Sequence, residues 1–139
     1  MSFLLDTNVI SEPKQKQPNE RVLEWLDEQD ESKFYLSVLT IGEIKKGIAR
    51  LESSRKKVRL ENWLKQLRIR FSPRILPLSE KTFLVWGKMC GELERKGVLR
   101  PAFDSLLEAS ALEHDLIFVT RNIKNFFDSQ ITIINPWEE

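Results

Sequence analysis

Short apolar runs alternate along the chain with longer segments in which apolar residues recur every three or four positions. Five runs are too short to form a helical face and predict β-strands, at residues 3–6, 34–38, 74–78, 116–120 and 131–134. The segments between them predict amphipathic helices at residues 19–29, 41–52, 56–70, 80–96 and 102–114. Strands that alternate with helices form βαβ units, so the pattern predicts an α/β fold with a parallel sheet covered on both sides.

Length and composition narrow the class of protein. A chain of 139 residues is long enough for one domain with its own core, and we expect a single domain over residues 1–139. Cys90 is the only cysteine, which excludes an intramolecular disulfide and a cysteine-based zinc site and favours the reducing cytoplasm. We find neither the charged and apolar regions of a signal peptide nor an apolar run of about 18 residues that could span a membrane.

The 22 basic and 21 acidic residues nearly cancel, but they are unevenly distributed. Residues 45–74 contain eleven basic and two acidic residues. This segment is a candidate phosphate-facing surface, because clustered cations attract nucleic acid. The alternative is a solvated helical hairpin whose long cationic side chains face water. Trp63 could stack on a base there, but its spacing favours a place in the core.

The apolar run Phe3-Leu4-Leu5 ends on a carboxylate, Asp6, where sheets of this kind bind ligands. In open α/β sheets, ligands bind just beyond the carboxyl ends of the strands. A charge in an apolar interior is costly, so a carboxylate there usually has a cation or a hydrogen-bond donor nearby. The alternative is that Asp6 only caps the end of the strand.

Two further acids map to the same edge, and each also has a purely structural interpretation. Glu43 follows the second strand, but Thr40-Ile41-Gly42-Glu43 also has the spacing of a capping box. Asp104 follows Pro101 at the start of a helix, where a carboxylate favours the helix dipole. Glu108 lies four residues later on the same helix face, and two like charges at that spacing make a cation between them more plausible.

Asn122 follows the fourth strand and completes the predicted cluster. Its carbonyl oxygen could ligate a metal, or its side chain could cap the next turn, and Asn125 is a second candidate of the same kind. Oxygen ligands of this kind, without histidine or cysteine, suit Mg²⁺ or Mn²⁺. His114 is the only histidine and is expected to end its helix, which argues against histidine-based zinc chemistry. The chain lacks the glycine-rich loop of phosphate-binding and dinucleotide-binding motifs.

Five blocks of the sequence carry a resemblance to a known family. They are Leu4-Leu5-Asp6-Thr7-Asn8-Val9-Ile10-Ser11-Glu12-Pro13, Leu36-Ser37-Val38-Leu39-Thr40-Ile41-Gly42-Glu43-Ile44, Asp104-Ser105-Leu106-Leu107-Glu108-Ala109-Ser110-Ala111-Leu112, Phe118-Val119-Thr120-Arg121-Asn122 and Ile134-Asn135-Pro136-Trp137. The chain resembles the PIN-domain nucleases of the VapC toxin family, in its FitB-like branch. The blocks occur in the family's order and at about its spacing, and they cover nearly the whole chain.

The resemblance implies a fold, a reaction and a set of catalytic residues. The fold would be a Rossmann-like three-layer α/β/α sandwich with a five-stranded parallel sheet, forming a single PIN domain. The reaction would be hydrolysis of RNA with Mg²⁺ or Mn²⁺ held at the carboxyl edge of the sheet. Asp6, Glu43 and Asp104 match the family's first three acids, and Asn122 stands where the fourth acid or its asparagine substitute occurs.

The same resemblance implies how these residues divide their roles. The metal ligands would be Asp6 and Asp104, with three further candidates: Glu43, Asn122 and Glu108. Thr7 and Thr120 would supply hydroxyl groups that orient the acids. The chain departs from the family at one corner, because Asn125 stands where many members have another aspartate.

The resemblance also implies partners: an RNA substrate, a cognate antitoxin, operator DNA reached through the antitoxin, and a second copy in a homodimer. The basic segment 45–74 then has two interpretations. It could position RNA, or its helices could help to bind the antitoxin and form the homodimer.

Two alternative functions remain open at this point. A haloacid-dehalogenase-like phosphatase also begins with an aspartate at a strand end, but it needs a second aspartate two residues later, where this chain has Asn8. A degenerate PIN domain that binds an antitoxin or a DNA-bound complex without cutting RNA is favoured by the missing fourth acid. Retention of Asp6, Glu43 and Asp104 argues against it.

Overall fold

The sheet has five parallel strands in the order β3–β2–β1–β4–β5. The computed structural model describes residues 1–138 of the chain. Its strands are β1 (Phe3–Leu5), β2 (Phe34–Ser37), β3 (Ile75–Leu76), β4 (Ile117–Val119) and β5 (Ile133–Ile134). Each strand lies within one of the five predicted runs, and every neighbouring pair is parallel. The predicted five-stranded α/β fold is therefore confirmed.

Six helices accompany the strands in residues 1–138. They are α1 (Thr7–Ser11), α2 (Glu20–Glu28), α3 (Val38–Ala49), α4 (Arg55–Arg70), α5 (Glu80–Arg95) and α6 (Ala102–Glu113). Five of them agree with the predicted helices to within three residues at either end. Helix α1 is absent from the prediction, because five residues are too few to show a helical period.

Helix α3 begins earlier than its apolar spacing predicts. It starts at Val38, and the side chain of Ser37 caps it by accepting a hydrogen bond from the backbone N–H of Leu39 at 3.0 Å. Thr40 therefore lies inside the first turn, where it is buried. The interpretation of Thr40 and Glu43 as a capping box is wrong, which leaves the Glu43 side chain available for another contact.

Different helices cover the two faces of the sheet. Phe3 and Leu5 of β1 pack in a cluster with apolar residues of α3 and α4. Leu4, which lies between them, packs on the opposite face with Leu107 of α6. This alternation follows from the two-residue period of a strand. Helix α5 packs outside α6 through Met89 and its neighbours, so the predicted three-layer α/β/α arrangement is confirmed.

The predictions for Trp63 and His114 are also confirmed. Trp63 is partly buried against the core cluster of α3 and α4. Ser79 caps α5, and Gly97 follows the end of that helix with a φ of +83°, a conformation that glycine adopts without strain. His114 is the C-cap residue of α6.

The strand order places β1 beside β4 at the point where the chain reverses its direction across the sheet. In a doubly wound sheet, the carboxyl ends of the strands on either side of such a point border a crevice. Asp6 directly follows β1 and Thr120 directly follows β4, so both lie at this crevice. Within residues 1–138, the helices are too short or too polar to cross a membrane.

Candidate active site

Asp6 is the most buried acid at the carboxyl edge of the sheet, with 7% of its surface exposed. Its Oδ1 accepts a hydrogen bond from the backbone N–H of Thr7 at 2.7 Å, which caps α1. Its Oδ2 accepts one from the hydroxyl of Thr120, also at 2.7 Å. The carboxylate is therefore held by one donor from each side of the crevice, and both donors are neutral.

Glu43 reaches the same edge from the second turn of α3. Its Oε1 accepts a hydrogen bond from the Thr7 hydroxyl at 2.6 Å. Thr7 thus donates its backbone N–H to Asp6 and its hydroxyl to Glu43, which fixes the two acids relative to each other. The hydroxyls of Thr7 and Thr120 thus donate to Glu43 and Asp6, as expected of side chains that orient the acids.

Asp104 lies in the first turn of α6 and is half-buried. Its Oδ2 accepts a hydrogen bond from the amide Nδ2 of Asn125 at 3.3 Å. Asn125 belongs to a short 3₁₀ turn, Ile123–Phe126, that follows β4. This turn brings the segment after the fourth strand against the start of α6.

Asn122 follows β4 at the same edge of the sheet as Asp6. Its backbone N–H donates to the Thr120 hydroxyl at 3.1 Å, and its exposed side chain does not cap the turn that follows. Among the hydrogen bonds within residues 1–138, the amide that reaches one of the three acids is that of Asn125. Asn125, the second candidate, is thus in contact with Asp104, and the role of Asn122 as the fourth ligand stays a prediction.

Glu108 is buried and paired with a basic side chain of the protein, unlike the three acids at the edge. Its side chain is 1% exposed, and its two oxygens accept hydrogen bonds from the Arg100 guanidinium at 2.8 and 3.2 Å. The Ser129 hydroxyl donates to the same carboxylate at 2.5 Å. The cation that we expected near Asp104 and Glu108 is thus a side chain of the protein. One feature of the sequence could have indicated this role of Arg100: charged side chains are almost never fully buried without a partner, so an acid on a buried helix face requires a basic residue nearby.

The three acids at the edge interact electrostatically. Burial raises the pKa of Asp6, the hydrogen bonds from Thr120 and Thr7 partly oppose this rise, and the charges of Glu43 and Asp104 add to it. Burial also raises the pKa of Asp104, with an added contribution from Glu43, while Asn125 and Arg100 lower it. In residues 1–138, none of the three acids forms an ion pair with a basic side chain. Their charged forms therefore lack a compensating cation.

This donor set fits a hard divalent cation with open coordination positions. Within residues 1–138, no three or more acidic, histidine or cysteine side chains lie close enough together to form a metal-binding cage. Mg²⁺ does not require such a cage, because it commonly keeps several waters and binds through one or two carboxylates. Such an ion stabilises oxygen donors that are held by neutral hydrogen bonds, and it would compensate the charges that raise the pKa of Asp6 and Asp104.

The family is decided by a comparison with known domains. A family model described as the PIN domain matches residues 3–128. The chain belongs to the PIN-domain family. Toxin FitB of Neisseria gonorrhoeae is 38% identical to this PIN-domain chain over 138 residues, and the match covers 99% of each chain. VapC ribonuclease Y4jK of Sinorhizobium fredii is 29% identical over 137 residues, with 98% of each chain covered.

Solved structures of PIN-domain proteins show the same arrangement. A chain in the structure of FitAB bound to an IR36 DNA fragment superposes with a TM-score of 0.93 and 36% identity. The match covers 99% of this chain and 96% of that one. PIN-domain ribonucleases generally use divalent metal ions. Membership of this family leaves the dehalogenase-like phosphatase hypothesis without support.

Proposed function

We propose that this PIN-domain protein is a metal-dependent endoribonuclease and the toxin component of a type II toxin–antitoxin system. The observation that carries the proposal is the set of three acids at the carboxyl edge of the sheet, held by neutral donors. Its ions would be Mg²⁺ or Mn²⁺, held by Asp6 and Asp104, with Glu43 and the amides of Asn122 and Asn125 completing the site. The names of the relatives, a toxin and a ribonuclease, support this assignment.

The residues of the chain have distinct roles in this reaction. A bound divalent ion supplies positive charge at the scissile phosphate and lowers the pKa of a bound water. Thr120 and Thr7 hold the Asp6 carboxylate in one orientation through both of its oxygens. Glu43 uses Oε1 to accept from Thr7, which leaves its Oε2 as the oxygen that can take a proton from the attacking water. The expected products carry a 5′-phosphate and a 3′-hydroxyl.

The partners follow from the same assignment. The relative named Toxin FitB and the complex of FitAB with DNA support a cognate antitoxin for this chain and operator DNA reached through it. An antitoxin that blocks the acidic edge would keep the nuclease inactive until the antitoxin is lost. A homodimer, a cytoplasmic location and a single domain over residues 1–139 stay predictions.

The test is cleavage of a pool of structured RNA by the purified protein. Native protein should cut the RNA with Mg²⁺ or Mn²⁺ and should stop when EDTA is added. The Asp6→Asn variant should be inactive, whereas the matched variant Asp27→Asn, which alters an exposed aspartate on α2, should cut normally. Equal cleavage by the native and Asp6→Asn proteins would contradict the proposal.

A second function is supported by one specific feature, the two asparagines at the fourth corner of the site. A carboxylate there would add a charged ligand, and Asn122 and Asn125 are neutral. This favours a degenerate PIN domain that binds its antitoxin or a DNA-bound complex and cuts nothing. Absence of RNA cleavage, together with absence of Mn²⁺ binding in calorimetry, would support that function over the nuclease.

A further inference from the structure

A cavity of about 700 Å³ is lined in part by residues that closely follow Asp6 and Thr120 in the chain. Asn8 of α1, two residues after Asp6, lines one side, and Arg121, directly after Thr120, lines another. The backbone N–H of Arg121 donates to Oδ1 of Asn8 at 3.4 Å, which joins these two walls. The cavity therefore shares its framework with the residues that hold Asp6, and a chain bound at the acids could extend into it.

Four side chains of the cavity offer hydrogen-bond donors: Asn8, Lys16, Asn19 and Arg121. Asn8 and Asn19 each use Oδ1 to accept from backbone N–H groups, so the amide Nδ2 groups are left as donors. Lys16 and Arg121 can only donate. Glu12 is the acid among the lining residues, but it is 9% exposed and its Oε2 accepts from the backbone N–H of Asn19 at 2.8 Å. Two cations and two amide donors suit a phosphate and the acceptor atoms of a base.

An aromatic side chain holds one of these cations in place. The Arg121 guanidinium lies 5.2 Å from the centre of the Trp137 ring, within the range of a cation–π contact. This contact restrains the guanidinium plane at the wall of the cavity. Unpaired bases of RNA stack on aromatic rings and on arginine planes, and their edges hydrogen-bond to amide side chains. Arg121 and Trp137 therefore form a platform of the kind that receives a base.

We propose that this cavity is a subsite for one single-stranded RNA nucleotide next to the scissile phosphate. The base stacks on the platform of Arg121 and Trp137, and Lys16 and the amides of Asn8 and Asn19 bind the adjoining phosphate and base edge. The assignment rests on the proposed nuclease function, because it concerns the substrate of the same acidic edge. It also gives the RNA a cationic path that does not need the basic segment 45–74.

The test measures binding of a fluorescent single-stranded RNA to protein that carries Asp6→Asn, which prevents cleavage. In that background, Arg121→Ala should weaken RNA binding about 10-fold, the loss typical of one stacked base. Lys16→Ala should reduce the slope of log K against log salt by about 0.7, the value for one phosphate contact on a single strand. Arg121→Lys should keep the salt slope but weaken RNA binding nearly as much as Arg121→Ala does, because lysine retains the positive charge but lacks the planar guanidinium on which a base stacks.

Lys65→Ala is the matched control, since it removes an exposed cation from α4, outside the cavity. It should change RNA binding much less than Arg121→Ala does. In protein that retains Asp6, affinity for Mn²⁺ measured without RNA should be the same with and without Arg121→Ala, which separates the subsite from damage to the acids. Equal RNA binding by the Arg121→Ala and Lys65→Ala proteins would overturn the subsite.

Two further outcomes separate this inference from the proposed nuclease function. RNA binding that depends on Arg121, in a protein whose native form cuts no RNA, would retain the subsite and reject the nuclease. The Arg121→Ala change could instead leave RNA cleavage and RNA binding unchanged and weaken binding of a cognate antitoxin. This outcome would assign the cavity to a protein partner and overturn the subsite.

Discussion

Helix α6 carries two carboxylates one turn apart, and the protein compensates only one of them. Glu108 is buried and receives a bidentate guanidinium from Arg100 and a hydroxyl from Ser129. Asp104 faces the crevice and receives one amide contact of 3.3 Å from Asn125, and burial raises its pKa. The charge of Glu108 is thus neutralised within the fold, whereas the charge of Asp104 is left for a cation that the fold does not contain.

Asp6 extends the comparison to the sheet. It is nearly as buried as Glu108, yet its two hydrogen-bond donors, from Thr7 and Thr120, are neutral. An acid with its own cation contributes to the structure, while buried acids at a crevice whose pKa is raised are typical of functional sites. The distinction between the two kinds of acid is one that mutagenesis can test directly.

The largest effect that we expect is on stability, from Glu108→Gln. This change keeps the shape of the side chain but leaves the Arg100 guanidinium, 1% exposed, without a counter-charge. Breaking a buried ion pair by removing one partner typically costs about 3–5 kcal/mol. Urea unfolding of the native and variant proteins measures this loss. A cost below about 1 kcal/mol would mean that Arg100 does not depend on Glu108.

The double variant Arg100→Met with Glu108→Leu checks the origin of that loss. Replacing a buried ion pair by apolar side chains of similar volume is often close to neutral. The double variant should therefore recover much of the stability that Glu108→Gln loses. Continued loss in the double variant would assign the effect to packing rather than to the unpaired charge.

The next largest effect is on metal affinity, from Asp104→Asn. Like Glu108→Gln, this variant changes an acid of α6 to its amide, one turn earlier in the helix. We expect no loss of stability in the metal-free protein, because burial already disfavours the charged form of Asp104. Affinity for Mn²⁺ should fall by more than about 100-fold, beyond the range seen for residues that only orient ligands. Calorimetry with Mn²⁺ measures this. Unchanged affinity would remove Asp104 from the proposed ligands.

Much of the fold could be predicted from the sequence because apolar periodicity is a local property. All five strands and five of the six helices follow from it. Helix α1 is too short to show a period, and the start of α3 is ambiguous because Ser37 and Thr40 are both residues that cap helices. The capping position was decided by the packing of α3, which buries Thr40.

The site was predictable only in part, for a similar reason. Asp6, Glu43 and Asp104 each follow a recognisable sequence feature, and the structure brings them to one edge. The pairing of Arg100 with Glu108 depends on how a loop packs against α6, which no local pattern encodes. The contact of Asn125 with Asp104 depends on the turn Ile123–Phe126, whose buried Phe126 packs edge-to-face against Phe118.

A smaller effect is expected from Thr120→Val, which removes the hydroxyl that holds Asp6. The side chain keeps its shape, but Oδ2 of Asp6 loses its donor at 2.7 Å. Loss of a partner that orients a metal ligand typically lowers metal affinity or activity by about 10–100-fold. Thr132→Val is the matched control, since Thr132 is exposed. Equal effects of the two variants on Mn²⁺ affinity and on cleavage would contradict the orienting role of Thr120.

The smallest effect is a pH dependence of stability that depends on Asp6. Burial raises the pKa of Asp6 above its ordinary value, so the folded protein holds this proton more tightly than the unfolded chain does. Such a group contributes stability that is complete below its unfolded pKa and is lost as the pH rises through its folded pKa. The native metal-free protein should therefore gain stability, relative to Asp6→Asn, as the pH falls from 7 toward about 4.

Urea unfolding of both proteins in EDTA across this pH range measures the difference between them. The Asp6→Asn variant has a neutral amide at every pH, so it isolates the contribution of Asp6. Hydrogen bonds from Ser32 lower the pKa of Asp30, so Asp30 makes stability fall as the pH falls. Both proteins contain Asp30, so its contribution cancels in the difference between them. Saturating Mn²⁺ at neutral pH should stabilise the native protein more than the variant, since the metal compensates the Asp6 charge. If the difference in free energy of unfolding between the two proteins does not change with pH, burial does not disfavour the charged form of Asp6. The contrast between the uncompensated Asp6 and the paired Glu108 would then be lost.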